Sequence, residues 1–508
     1  MTLRCEPMAS LDNLFSHISM LSTTFLVVAF SLVSFSHASI LTATPSGRYQ
    51  STCRRIANAI SNSSQVFYPN SIQYDADIEH AIVSSSQVSA CSVEPGSAAD
   101  VGVILRVLGS TRTPFAVKGG GHAFNPGFSS TSGVQISMTR FSNIELNNAT
   151  GTVDVGSGVT WDQVYAALDS TGVNIVGGRI PTVGISGLTL GGGYAFMSNQ
   201  YGLSIDNMER YELALPNGTI TNVTESNKDL WFALRGGGNN FGIVTKFTYK
   251  TVPQGQVWGG TLNYNVDQLD LVKEAVLKFQ QKNDTKAALN VPVIYTPAGA
   301  ISAAVLFYNA PTPAPGIFDD FLAIPSNQSD VKTRSFADMF NSLSFINPPN
   351  TARGRVNGVS VTQYSSSVFD AFVNQTLFWG GKIAALDPNL TVAITLEPFL
   401  KDVFSHGSDS AFPPDRSHAL FPTAVTFAYT NTSLDGTVSK ALRSYSDAVT
   451  AVAVVDGQNV SHAAVYPNYA LFDTPLEDIY GVNLPRLHAI RKAVDPKDVM
   501  GLAGGFKL

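Results

Sequence analysis

Three glycine-dense stretches, in a fixed order and far apart, constrain this chain more than any other feature. The first lies in 114–130, PFAVKGGGHAFNPGFSS, where Lys118-Gly119-Gly120-Gly121-His122 closes a short apolar run at 115–117 that reads as a buried strand. The second, 177–206, is GGRIPTVGISGLTLGGGYAFMSNQYGLSID and holds eight of the 42 glycines. The third is Gly236-Gly237-Gly238-Asn239-Asn240-Phe241-Gly242. Glycine lets a backbone turn tightly and lie close against another object, because no Cβ intervenes. Successive exposed N–H groups in such a turn form a concave anion site. These stretches are too apolar for linkers, and the second cannot be one regular helix. They suit a backbone surface for something large, planar or charged. Neither G-x-G-x-x-G nor G-x-x-x-x-G-K-[ST] occurs in the chain, and no periodic helix follows His122 directly, so two common phosphate cradles are excluded.

The charge balance excludes other classes. Charged residues are 14% of the chain and the net charge is −6, with no Lys/Arg block or basic stripe, so no nucleic-acid partner is expected. The apolar run at 21–35, LSTTFLVVAFSLVSF, is short for a membrane span and is followed by Ser36-His37-Ala38, a small-x-small pattern. It reads as a signal peptide over 1–38, cut after Ala38, which leaves a secreted chain without a membrane anchor. Ten N-x-[ST] sequons agree: Asn62, Asn148, Asn217, Asn222, Asn283, Asn327, Asn374, Asn389, Asn431 and Asn459. Of three cysteines, Cys5 leaves with the signal. Cys53 and Cys91 then form a pair expected to be a disulfide in an oxidising compartment.

In chain order, a helical pattern covers 49–60. Ser97 starts a helix with Asp100 at N3 and Val101, Ile104, Leu105 and Leu108 at helical spacing. Strands are expected at 134–138 and 151–156. Thr160 and Gln163 form a capping box for a helix over 161–169, ended by Gly172. The runs 211–215 and 220–223 predict a hairpin across Asn217-Gly218 of type I′. A short helix over 229–235 precedes the third glycine stretch, and a long alternating strand covers 243–252. From about 254 the texture changes: a helix is expected over 269–279 and strands over 301–308 and 424–430. Near Tyr466 it reverts, and 484–494 reads as a helix stopped by Asp495-Pro496. The class is α+β.

These ordered segments, joined by YPNYALFD from 466 and YGVNLPRLHAIRKAVDPKDV from 480, resemble the PCMH-type FAD-binding fold of the vanillyl-alcohol-oxidase superfamily, in its berberine-bridge-enzyme-like branch. The resemblance covers about 85–255 and 464–500. It implies an FAD-binding domain of two α/β subdomains over 45–254. It also implies a substrate domain over 255–463, with an antiparallel sheet covered by helices, and a segment over 464–508 that returns to the FAD domain. It further implies an FAD-dependent oxidoreductase, with FAD along the glycine stretches and its pyrophosphate on Lys118–His122. His122 is expected to be bonded to the 8α-methyl carbon of the flavin. Cofactor contacts are expected from Lys118, Gly119, Gly120, Gly121, His122, Pro181, Thr182, Val183, Gly187, Gly191, Gly192, Gly193, Gly242, Ile243, Tyr480 and Asn483. The position matching Lys118 is commonly Arg in the family; Lys keeps the charge and loses the fork. Many relatives carry a second link through a cysteine where this chain has Ile180, so a single link is expected. Val183 falls at the family's oxygen gate, and its small side chain resembles the oxygen-reactive members.

The flavin carries the redox chemistry, so the protein must bind substrate and take a proton. By resemblance, Tyr466 in Tyr466-Pro467-Asn468-Tyr469 is expected to be the base or proton relay, with Asn468 orienting it or the flavin edge and Tyr194 as second candidate. Other members of the branch use a glutamate from the substrate-domain sheet, and 424–430, AVTFAYT, has no acid. Arg416 and His418 stand just before it and could reach substrate. The expected substrate is an alcohol, a sugar or a secondary metabolite, with hydride going to flavin N5 and molecular oxygen as acceptor. The alternatives are a dehydrogenase or a secreted glycoprotein of this fold that binds without turnover. No metal site is expected.

Overall fold

The computed structural model describes residues 47–344 and 352–508. The apolar segment at 21–35 and the cleavage site after Ala38 lie outside the described residues. Three sheets carry the site. The first is mixed, in the order Gln65–Phe67, Cys91–Glu94, Val134–Ser137, Phe115–Lys118. Its last two strands run parallel, and Val134–Ser137 is also parallel to Cys91–Glu94. Parallel strands need cover, and Ala98–Thr111 supplies it. Ser97 caps this helix by accepting from the Asp100 N–H, and Val101, Ile104, Leu105 and Leu108 share one core with Phe115 and Ile136. A disulfide joins Cys53, on the helix Gln50–Ala57, to Cys91. Closing a loop of this separation contributes roughly 3–4 kcal/mol by loop-closure entropy. Thiol labelling of the denatured, unreduced protein is expected to find neither cysteine free; labelling at both positions would show the bridge to be absent in solution.

The second sheet is antiparallel, in the order Ile144–Asn147, Thr152–Gly156, Ile243–Lys250, Met208–Ala214, Ile220–Val223. The hairpin between its last two strands forms where expected, but its turn is not of type I′. That turn needs positive φ at both central residues, and only Gly218 has it, at 84°. Trp161–Leu168 keeps its capping-box contact, the Thr160 N–H on the Gln163 carboxamide at 3.1 Å. It ends at Leu168, before Gly172. The second glycine stretch is not helix-free: it contains the short helices Ile185–Leu190 and Ser198–Tyr201. Their glycines sit at turns and close approaches, which leaves one or two turns of helix between them.

The third sheet has eight strands, all antiparallel. Its central path is Val257–Asn265, Gly299–Tyr308, Ala287–Thr296, Thr391–Leu396, Phe421–Tyr429, Arg353–Val361. The helices Ser366–Ala384 and Asp435–Val455 share a core with its Val425, Phe427 and Tyr429 side. The other face packs Val257, Val305 and Phe307 into a second core at one end, and a row of small or polar residues crosses it further along. Gly358 pairs with Ala424, Ala424 with Thr395, and Thr395 with Pro292. Alternation by two residues places Asn290 and Glu397 on this same face. Residues 464–508 pack back across the molecule: Ala503 bridges Phe115, and Asn125 donates to the Ala470 carbonyl.

Candidate active site

The strand Phe115–Lys118 delivers the first glycine loop against the second glycine stretch. A Cβ on Gly120 would lie 2.5 Å from the Gly184 nitrogen, and one on Gly184 would lie 2.3 Å from the Gly120 nitrogen. The two loops therefore pass back to back, and only glycine fits at either position. The Lys118 ammonium donates to the Ala76 carbonyl at 2.7 Å. Burial lowers its pKa, and Asp77 and Glu79 oppose the shift. His122 follows the loop. Its Nε2 is buried without a hydrogen-bond partner among the described residues, and burial holds the imidazole pKa down to about 4. The ring is thus neutral at ordinary pH, with an available lone pair.

Ahead of the helix Ile185–Leu190, the Pro181 and Val183 carbonyls accept from the Asp162 and Trp161 N–H groups, which ties this segment to the start of Trp161–Leu168. Val183 is half-buried and Thr182 is exposed. A Cβ on Gly187 would meet nothing within 4 Å, so this turn presents bare backbone. Gly191, Gly192 and Gly193 lead away from the helix, with φ of 122° at Gly192 and 85° at Gly193. Gly242 enters the strand Ile243–Lys250 at φ 141°, with Ile243 buried beside it.

The C-terminal segment meets the glycine turn. Tyr466 is buried, and its hydroxyl oxygen accepts from the Gly193 N–H at 3.2 Å and from the Asn468 amide at 2.8 Å. Asn468 also donates to the Leu188 carbonyl at 3.0 Å, so its amide links the Tyr466 hydroxyl to the helix Ile185–Leu190. No protein group among the described residues accepts the Tyr466 proton. Burial raises the Tyr466 pKa, and these donors oppose the rise. Tyr194 stands edge-on to Tyr466 at 4.9 Å, but its hydroxyl is committed to the Leu420 carbonyl at 3.1 Å.

The acid that the strand 424–430 lacks is found beside it, at a position the sequence reading did not consider. The strand Phe421–Tyr429 indeed has none, but Glu397 follows its neighbour Thr391–Leu396 and is 2% exposed. Its Oε1 accepts from the Tyr469 hydroxyl at 2.9 Å, and its Oε2 accepts from Arg179 Nη2 at 2.6 Å. Arg179 Nη2 also reaches the Tyr469 oxygen at 3.1 Å. Tyr469 and Tyr466 stand edge-on at 4.9 Å. Burial raises the Glu397 pKa above the ordinary carboxyl range, and Arg179 and Tyr469 limit that rise without reversing it. Two signals in the sequence could have exposed this group: the lone Glu closing the alternating run TVAITLE, and the lone Arg in an apolar glycine stretch.

Other predicted residues fall elsewhere. Arg416 is committed to Asp206, which it shares with Arg235, and His418 is exposed beside Asp415. The Asn483 amide donates to the Ser410 and Ala411 carbonyls and so holds the segment that seats Phe412 against Gly192 and Tyr466. Tyr480 is buried next to it in sequence. Among the described residues no cluster of His, Cys, Asp and Glu is arranged to hold a metal, and no helix is long and apolar enough to cross a membrane.

Residues 89–224 match the family described as FAD binding domain. The chain is 28% identical over 498 residues to an uncharacterized FAD-linked oxidoreductase of Arthroderma benhamiae, covering 92% of this chain and 97% of that one. It is 29% identical over 441 residues to the FAD-dependent monooxygenase tpcD of Cochliobolus heterostrophus, covering 82% and 85%. Its fold matches that of a berberine bridge enzyme variant solved with (S)-reticuline, with TM-score 0.71, 19% identity, and coverage of 90% and 98%. Glycine loops, mixed sheet and eight-stranded antiparallel sheet thus define the PCMH-type FAD-binding fold. The chain thus carries an FAD-binding domain and is similar over most of its length to FAD-linked oxidoreductases.

The residues present fit FAD on two observations of this structure. The His122 Nε2 is an orphaned buried lone pair beside a glycine loop. The backbone at Gly187 is bare where any side chain would project into open space. Lys118–His122, Gly187 and Gly191–Gly193 would hold the cofactor, with Gly242 and Ile243 at the third glycine stretch.

Proposed function

We propose that this chain is a secreted flavoprotein oxidase, with FAD bonded through His122 alone, that oxidises an alcohol, a sugar or a secondary metabolite with molecular oxygen as final acceptor. When bound, FAD supplies the hydride acceptor. The observation that carries the reading is the set of proton groups gathered beside the Gly191–Gly193 turn: buried Tyr466 and Glu397, with half-buried Tyr469 joining them. A neutral tyrosine can take a proton only if it can hand on its own. Among the described residues Tyr466 has no protein acceptor for it, whereas Tyr469 has Glu397 Oε1 at 2.9 Å. The base therefore moves from Tyr466, favoured by resemblance, to Tyr469. As the substrate O–H bond breaks, an O–H bond forms on the Tyr469 oxygen. The former Tyr469 proton passes to Glu397 Oε1, and the hydride leaves the adjacent carbon. Tyr466, fixed by Gly193 and Asn468, keeps a hydroxyl free to donate to the substrate.

Secretion is supported by the small-x-small pattern after 21–35, and by sequon asparagines that are all exposed, Asn62 through Asn459. The single link is supported by Ile180, and oxygen reactivity by the small Val183. The test is anaerobic mixing of purified protein with a panel of sugars, alcohols and phenolic or alkaloid metabolites. Bleaching of the yellow colour by one class, and its return on admitting air, is the expected result. Bleaching without reoxidation identifies a dehydrogenase, and a protein that no class bleaches is a binding protein of this fold.

A further inference from the structure

Arg179 is a costly residue where it stands. It lies in an apolar, glycine-rich segment and is 8% exposed. A guanidinium there must be paired and hydrogen-bonded to be tolerated. Its partners come from three separate parts of the chain. Nη2 reaches Glu397 Oε2 at 2.6 Å and the Tyr469 oxygen at 3.1 Å, and Nη1 reaches the Asn290 side-chain Oδ1 at 3.2 Å. The Phe399 ring lies 5.8 Å from the guanidinium carbon. The two carboxylate oxygens are thus divided, Oε2 to Arg179 and Oε1 to Tyr469.

We propose that Arg179 is a positioning residue for proton removal: its guanidinium holds Glu397 as an anion, with Oε1 turned to the Tyr469 hydroxyl. This rests on the relay proposed above. A carboxylate so deeply buried would otherwise take up a proton, and a protonated carboxyl cannot receive the one Tyr469 must release. The charged and titratable groups facing Glu397 are Arg179, Tyr469, Tyr194 and Tyr364. Tyr466 joins the set through Arg179 and the other tyrosines. Tyr364 accepts from the Glu397 N–H at 2.8 Å and pairs with Thr423 at 2.7 Å. Arg179 is the one cation among them. The four tyrosines are neutral at ordinary pH, so none can replace it. Asn290 and Tyr469 fix where the guanidinium sits, which is why Lys, a point charge without a fork, should restore the anion but not the aim.

The test compares the holoenzyme with its R179Q, R179K and R179Q/E397Q variants by infrared spectroscopy, reading the protonated-carboxyl stretch across pH. It needs no substrate. The expected result is a new protonated-carboxyl band in R179Q near neutral pH, absent from wild type and R179K and lost again in R179Q/E397Q. An opposite charge at contact distance typically moves a carboxyl by about 1–3 pH units, so the R179Q transition should lie at least one unit above that of wild type. With any substrate that bleaches the flavin, the acidic limb of the reduction rate should move up by the same interval in R179Q. R179K should keep the limb and lose rate. An unchanged carboxyl band in R179Q overturns the proposal, as does a variant whose only change is lower FAD content. If R179Q does not fold, R179K decides: a wild-type reduction rate would show that the aim of the carboxylate is immaterial. Normal reduction by E397Q would instead fail the relay while leaving the infrared result standing.

Discussion

Replacing Tyr469 with Phe is expected to slow anaerobic flavin reduction by about 10²–10⁴-fold, the usual span for a general base, while flavin content stays normal. The substitution removes one oxygen and keeps the ring edge-on to Tyr466. That oxygen is the atom through which Arg179 and Glu397 both act. E397Q should lose a comparable factor, because Gln cannot take the proton. Y466F should cost less than about tenfold, since it removes a substrate contact and leaves the relay whole. Stopped-flow reduction of the three variants decides the matter. The reverse ordering, with Y466F the slower by far, would return proton removal to Tyr466. A small effect in both would turn attention to Tyr194, whose hydroxyl is otherwise held by the Leu420 carbonyl.

The second large effect is all-or-none. In wild type, acid-precipitated protein is expected to stay yellow, and a tryptic digest to show one flavin-bearing peptide, containing His122. In H122A the precipitate should be colourless and the flavin should appear in the supernatant. The Nε2 lone pair is buried and the imidazole is kept neutral by burial, which are the conditions a nitrogen nucleophile needs. Flavin on a second peptide, or complete release from wild type by acid, would reject the single link through His122.

Much of this was legible from residues alone, and the exceptions have physical causes. Helix ends with local chemistry were read correctly: the helices over 269–279 and 484–494 have the expected limits, and Ser97 caps where its side chain requires. The glycine stretches announced a backbone surface because a Cβ at Gly120 or Gly184 has nowhere to go. Turn type at Asn217-Gly218 was misread because Asn tolerates but does not require positive φ. Glu397 was missed for a different reason. Its function depends on strand order, which places Thr391–Leu396 beside Phe421–Tyr429, and on an arginine more than two hundred residues earlier in the chain. The lone Glu and the lone Arg each stand out in sequence, but nothing local to either says that they pair. Asn483 was expected at the cofactor, yet its amide is spent on the Ser410 and Ala411 carbonyls, a partnership that only the return of the C-terminal segment creates.

That return has a consequence for the order in which the protein becomes competent. The Gly193 N–H meets the Tyr466 oxygen across 273 residues, and Arg179 meets Tyr469 across 290. During synthesis the glycine loops and His122 emerge long before the tyrosines that complete the set. A nascent chain can therefore acquire its flavin-binding surface early and still be chemically silent. On the relay proposed above, proton removal would wait until the tail has folded back and brought Tyr466 to the glycine turn and Tyr469 to Arg179.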